Sequence, residues 1–155
     1  LGESSSVSIL DGADIVYVAR AAQRKLMAIA LMPGSRLPAF CTSMGGGLLA
    51  ARPEAEVAAL LEQTPLIART PLTRTDPAAI LAELARIRAQ GYALIDQEVE
   101  MGLRSIAIPI RNARGATIAA LNIGAPATQP SVTDLVDLYL PAMQAVQAEL
   151  RAMLN

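Results

Sequence analysis

The chain has 155 residues, close to the roughly 150 expected of one domain, and 53% of them are hydrophobic, which excludes a disordered chain and allows a buried core. His and Trp are absent and Cys41 is the sole cysteine, so a His-dependent triad, a Cys/His zinc site, a CxxC redox pair and an internal disulfide are excluded. Thirteen Lys/Arg against 14 Asp/Glu give a net charge of −1, leaving no bulk attraction for nucleic acid.

Only Phe40, Tyr17, Tyr92 and Tyr139 are aromatic, so Ala, Leu, Ile and Val must build the core. Mean hydropathy is positive at +0.39. The longest uncharged run, Gly115 to Thr133, is nevertheless broken by Pro126 and Pro130, and could not form a spanning helix of about 20 apolar residues. The start lacks a basic segment followed by an apolar one and does not resemble a signal peptide.

In chain order, residues 1–6 with their run Ser4-Ser5-Ser6 read as a polar linker entered from a longer protein. Val7 to Leu10 and Ile15 to Ala19 are β-prone runs around Asp11-Gly12, a hairpin-turn dipeptide. Lys25 to Leu31 is a third strand candidate, ended by Pro33-Gly34. Thr42 to Ala51 suits a short helix, although Gly45, Gly46 and Gly47 each lower helix propensity by about 1 kcal/mol against Ala, so only tertiary packing would justify them.

Pro53 at N1, with Glu54 and Glu56 near the positive end of the helix dipole, starts a helix through Gln63. After a loop from Thr64 to Thr75, Asp76 as N-cap, Pro77 at N1, the spacing of Ile80, Leu81, Leu84 and Ile87, and Gly91 at C′ define another. Tyr92 to Asp96, Ser105 to Ile110 and Thr117 to Ile123 then read as three consecutive antiparallel strands. Ser131 and Asp134 have capping-box spacing before a helix from Leu135 to Leu154, with a kink or break expected at Pro141. Strands, helices, strands and a final helix make an α+β domain with a mostly antiparallel sheet.

The ordered set Leu10-Asp11-Gly12, Pro33-Gly34-Ser35-Arg36-Leu37-Pro38, Thr42-Ser43-Met44-Gly45, Gln90-Gly91-Tyr92-Ala93, Asp96-Gln97-Glu98, Gly102-Leu103-Arg104-Ser105-Ile106-Ala107 and Leu121-Asn122-Ile123 resembles the C-terminal effector-binding domain of the IclR family of transcription regulators. The resemblance covers essentially the whole chain. The Asp-Gln-Glu and Gly-Leu-Arg-Ser-Ile-Ala segments look closest to the branch that controls aromatic-acid catabolism through protocatechuate, 4-hydroxybenzoate or β-ketoadipate. It implies a GAF-like fold, a curved, mostly antiparallel sheet flanked by helices, spanning residues 7–155. It also implies a cytoplasmic homo-oligomer, dimer or tetramer, that reaches DNA only through a winged helix-turn-helix preceding this segment, with no membrane partner, cofactor or metal.

By motif, the family's effector site matches Ser43, Met44, Asp96, Ser105, Asn122 and Gly124. Strand parity agrees: Ser105 with Ala107, and Asn122 with Gly124, share faces opposite to Ile106, Ile108, Leu121 and Ile123. An anionic effector calls for an Arg fork, for which Arg20 is the first candidate and Arg36 the second; alternation points Arg104 to the other face. Asp96 would repel a carboxylate unless it met a hydroxyl or an Arg.

The glycine run has no following Lys-Ser/Thr and is not a phosphate loop. Where the family usually carries a basic residue, Gly46 stands. Cys41 reads as a small buried hydrophobe, since no His can activate it, and Asp96, Glu98 and Glu100 read as solvated loop carboxylates. The resemblance implies a sensor of a small organic acid, aromatic or derived from aromatic degradation, its ring supplementing a chain poor in rings of its own. Two other readings stay open: a small enzyme using Asp96 and Ser105, and an oligomerisation module without a ligand.

Overall fold

The Asp11-Gly12 signal closes a hairpin. β1 (Ser4–Asp11) and β2 (Asp14–Ala21) pair antiparallel with Asp11 opposite Asp14, and Gly12 takes the left-handed φ of +62° that the tight turn requires. The computed structural model describes residues 3–21, 31–128 and 131–155; most of the strand candidate Lys25 to Leu31 lies outside them.

Ser4, Ser5 and Ser6 are not linker. They open β1, because β1 also pairs with β6 (Thr117–Pro126), Ser4 opposite Gly124 and Ser6 opposite Asn122. Local composition favours a coil there, and a strand partner more than a hundred residues away overrides it. A three-residue strand, β3 (Arg36–Pro38), adds to β2 with Leu37 opposite Ile15.

Thr42 caps α1 (Ser43–Ala50), its Oγ1 accepting from the Gly45 N–H at 3.0 Å. A single 3₁₀ turn, Ala39–Cys41, leads into it. α2 (Glu54–Glu62) begins one position later than its proline suggests, with Pro53 at the N-cap rather than N1. α3 (Pro77–Gln90) has Asp76 as N-cap, Pro77 in its first turn and Gly91 left-handed at its end. α4 (Val132–Met153) starts on a complete Ser131/Asp134 capping box and continues through Pro141 without a break.

β4 (Ala93–Asp96), β5 (Leu103–Arg111) and β6 complete a curved six-stranded sheet in the order β3-β2-β1-β6-β5-β4, every neighbouring pair antiparallel. The alternation of β5 and β6 gives each face its own core. Ala107 and Ala120 join Ile15 and Tyr17 in one cluster with Met44 and Leu49 of α1, while Ile106, Ile108 and Ile123 pack against Met143 of α4. Among the described residues no helix is long and apolar enough to cross a membrane.

Candidate ligand-binding site

The register of four strands sets out the floor of the site. Arg20 of β2 lies opposite Ser6 of β1, Ser6 opposite Asn122 of β6, and Asn122 opposite Ala107 of β5, so one row of residues crosses the concave face. The adjacent row runs from Ser4 through Gly124 to Ser105. Neighbouring strands are about 4.8 Å apart, so Arg20 and Asn122 stand two strand spacings from each other. Above this floor, α1 brings the start of its helix, Ser43 and Met44, to the cavity.

Between floor and helix is a cavity of about 40 Å³, at the head of a cleft whose empty space totals about 470 Å³ including the part open to solvent. A cavity of about 150 Å³ accommodates benzene, so the enclosed part alone is smaller than an aromatic ring needs. Met44 is suited to move, being unbranched and adaptable; its Sδ accepts from the buried Ser8 Oγ at 3.1 Å. Leu37, Val99 and Leu103 supply apolar walls, and Tyr17 supplies a ring whose hydroxyl burial holds above its usual pKa, an effect that the charge of Arg20 opposes.

The polar groups differ in how far they are already engaged. Ser105 Oγ donates to Ser43 Oγ at 2.8 Å, tying β5 to the start of α1. Arg20 Nη1 donates to Ser6 Oγ at 3.1 Å. Asn122 Oδ1 is buried and, among the described residues, accepts from nothing. An unsatisfied buried acceptor costs about 1–3 kcal/mol.

Of the eight residues singled out from sequence, six line this cavity: Arg20, Ser43, Met44, Ser105, Asn122 and Gly124. The structure places the other two elsewhere. Asp96 lies opposite Arg104, whose Nε donates to its Oδ1 at 2.7 Å while the same guanidinium bonds the Ala127 carbonyl, so the pair closes the end of the β4–β5 ladder. Arg36 is at the surface, where it holds Asp11 at 2.8 Å and Asp14 at 3.2 Å across the hairpin turn.

Ser4, Ser6 and Tyr17 were not singled out. Alternation of serines at 4, 6 and 8 is the signal that could have found the first two, and the linker reading hid it.

Three further residues bear on the chemistry. Glu98 is not a solvated loop carboxylate: it is buried, accepts from the Arg74 N–H at 2.9 Å and faces the Arg74 guanidinium at 3.4 Å. Burial, the largest influence, raises its pKa, with Arg74 opposing and Glu83 and Asp96 assisting. Cys41 is fully buried and its thiol is pushed up to about 12, mainly by desolvation, so it is held protonated. Gly46 faces away from the cavity, toward α3 and β4, where a Cβ would come within 3.0 Å of Ile87 Cδ1 and 3.4 Å of Ala93 Cβ. A basic side chain at that position would have to displace Ile87.

Comparison with known proteins agrees with this architecture. Residues 1–150 match the family profile described as bacterial transcriptional regulator IclR C-terminal. The chain is 41% identical over 151 residues to the Pca regulon regulatory protein of Pseudomonas putida, covering 97% of this chain and 52% of that protein. It is 35% identical over 151 residues to the p-hydroxybenzoate hydroxylase transcriptional activator of Acinetobacter baylyi, covering 94% of this chain and 56% of that protein. The chain thus spans little more than half the length of these relatives. Among solved structures, the inducer-binding domain of a PobR double mutant from Acinetobacter, in complex with 3-hydroxybenzoic acid, superposes with a TM-score of 0.88 at 34% identity, over 96% of this chain and 87% of that one. With the profile covering residues 1–150 and the fold superposing over nearly the whole chain, this chain belongs to the IclR family of bacterial transcriptional regulators and corresponds to its C-terminal, effector-binding part.

Proposed function

We propose that this domain senses a small aromatic acid and, on binding it, alters the disposition of a winged helix-turn-helix that precedes it in the full-length regulator. The observation that carries the reading is the row Arg20–Ser6–Asn122 laid across the floor of a cavity walled by Leu37, Met44, Val99 and Leu103. A few convergent polar groups within apolar walls are what fixes the orientation of a small organic ligand. Arg20 offers a guanidinium fork to a carboxylate, and the first turn of α1 adds the positive end of its dipole. The hydroxybenzoic acid held by the PobR domain supports the same ligand class here.

The observed chemistry favours sensing over turnover. Ser105 donates to another serine rather than to a base, Asp96 is committed to Arg104, and the Cys41 thiol is protonated and buried. A sensor also requires its ligand to bind one quaternary arrangement more tightly than another, since equal affinity shifts nothing. That arrangement is a dimer or tetramer of the intact regulator.

Isothermal titration of this chain with benzoate, 3- and 4-hydroxybenzoate, protocatechuate, β-ketoadipate, glyoxylate and pyruvate tests the proposal. At least one aromatic acid binds more tightly than 1 mM, and Arg20→Gln weakens it by about tenfold or more, the loss of one charge-assisted hydrogen bond. Absence of binding by every aromatic acid, or an unchanged affinity in the variant, overturns it.

A further inference from the structure

We propose that the outward face of α4 is a self-pairing surface, on which α4 of a second copy lies antiparallel in a single register. The pairing is independent of which ligand fills the cavity, and it supplies a contact for the quaternary arrangement that a sensor requires. One side of α4 rests on the sheet: Val136, Tyr139, Leu140 and Met143 join the cluster of Ile106, Ile108 and Ile123, and Gln147 donates to the Pro109 carbonyl. The opposite side carries Leu138, Pro141, Ala145, Ala148 and Ala152, all exposed, Leu138 by 61%. Their spacing of three, four, three and four residues is that of a coiled-coil seam about 21 Å long, and none of these positions is charged. A helix covered only from beneath carries a polar outer face, so this apolar one calls for a partner.

The charges beside the seam say which partner. Asp137, Gln144 and Arg151 fall at seven-residue intervals along one flank, and among the described residues neither Asp137 nor Arg151 has an ion-pair partner in its own chain. In an antiparallel pair related by a two-fold axis this flank meets its own copy, so the order acid, amide, base is set against base, amide, acid. Asp137 then faces the partner's Arg151, and the ion pair occurs twice. Between the two pairs Gln144 faces the partner's Gln144, an amide being able both to donate and to accept. An antiparallel pair slipped by seven residues loses both ion pairs. In a parallel pair the flank meets the opposite flank, where Asp137 finds the partner's Ala142 and no ion pair forms.

The same register suits the seam. Leu138 lies on the partner's Ala148 and Pro141 on the partner's Ala145, so each larger residue meets a small one. The helix dipoles oppose, Glu149 comes beside the positive first turn of the other helix, and Asp134 stays turned to Ser131 in its capping box. Exposed ion pairs add little affinity, so the charges set orientation and register while the apolar seam supplies the attraction. Four turns of helix bury less than the roughly 800 Å² per partner of a stable complex, so the dimer of this chain alone is weak, with a dissociation constant on the order of 100 µM.

Sedimentation velocity of this chain between about 10 µM and 1 mM tests the proposal, and shows monomer giving way to dimer. Asp137→Arg and Arg151→Asp, which set like charges together, each raise the midpoint concentration about tenfold, and the double variant returns it to within about threefold of the unmodified chain. Ala145→Glu places carboxylates in the seam and leaves the chain monomeric throughout. Melting curves establish that each variant is folded, and should Ala145→Glu fail to fold, the surface charge variants decide. Orientation is read by a short bismaleimide: it joins two copies of Gln144→Cys, which face each other across the axis, and does not join copies of Ala152→Cys, which lie at opposite ends. Cys41 is buried and stays out of the reaction. A chain monomeric at 1 mM, or a double variant that does not recover, overturns the proposal. So does a dimer that ignores these substitutions, whose second copy then sits elsewhere, as on the exposed Ile9 and Val18 of the β1–β2 hairpin. Titration of the monomeric variants with the aromatic acids judges the ligand reading separately.

Discussion

At Gly45 the absence of a side chain decides where α1 can sit. The Ala39 carbonyl of the preceding turn occupies the position that a Cβ would take, so the turn and the helix meet only with glycine there. Gly45→Ala therefore forces backbone apart in the layer that carries Ser43 and Met44, and we expect a loss of about 3 kcal/mol or more, read as a lowered urea midpoint.

Glu98 makes a different residue-scale prediction. Its proton is held more tightly in the folded protein than in the unfolded chain, so its contribution to stability is fully present below the ordinary value of 4.5 and is lost as pH rises through the raised folded value. Glu98→Gln removes that dependence. The difference in Tm, variant minus wild type, should increase from pH 4 to pH 8, and a flat difference would show that burial does not govern this carboxyl.

Among single residues, period-2 alternation made Ser105 and Asn122 legible as neighbours on one face. It could not choose between Arg20 and Arg36, because the choice depends on Asp11 and Asp14 capturing Arg36 at the turn. Nor could it show that Asp96 and Arg104 stand opposite one another.

Elements whose stabilising pattern is local were readable, and those stabilised from a distance were not. α3 announces itself through Asp76, Pro77, its apolar spacing and Gly91, and α4 through its capping box. β3 is three residues long and exists because Leu37 finds Ile15, while Ser4 to Ser6 become strand because Asn122 and Gly124 lie beside them. The reach of the capping box can be measured: Ser131→Ala removes the acceptor for the Asp134 N–H, a bond of 3.1 Å. A loss of about 1 kcal/mol in unfolding free energy is expected, with ligand affinity unchanged because α4 packs on the opposite side of the sheet.

On the scale of the whole molecule, the cavity lies within the larger of two cores, so ligand binding and folding are linked. A ligand that binds only the folded chain adds about 2.7 kcal/mol at a hundred times its dissociation constant. For a domain of this size that corresponds to a rise of about 5–10 °C in Tm. A scanning-fluorimetry series with the tightest hydroxybenzoate should reach that range, and Arg20→Gln should move the concentration needed for half the effect upward by about tenfold. Fold class was legible at this scale because the order of strands and helices was, whereas the cavity depended on a register that no local window contains.

The alternation along β6 gives one strand two audiences. Asn122 looks into the cavity, and its bonded neighbours Leu121 and Ile123 rest in the cluster that includes Met143 of α4. Whatever tilts the backbone at Asn122 tilts those two side chains with it, on the far side of the sheet. The cavity floor and the seat of a 22-residue helix thus share one backbone, with no layer of side chains between them.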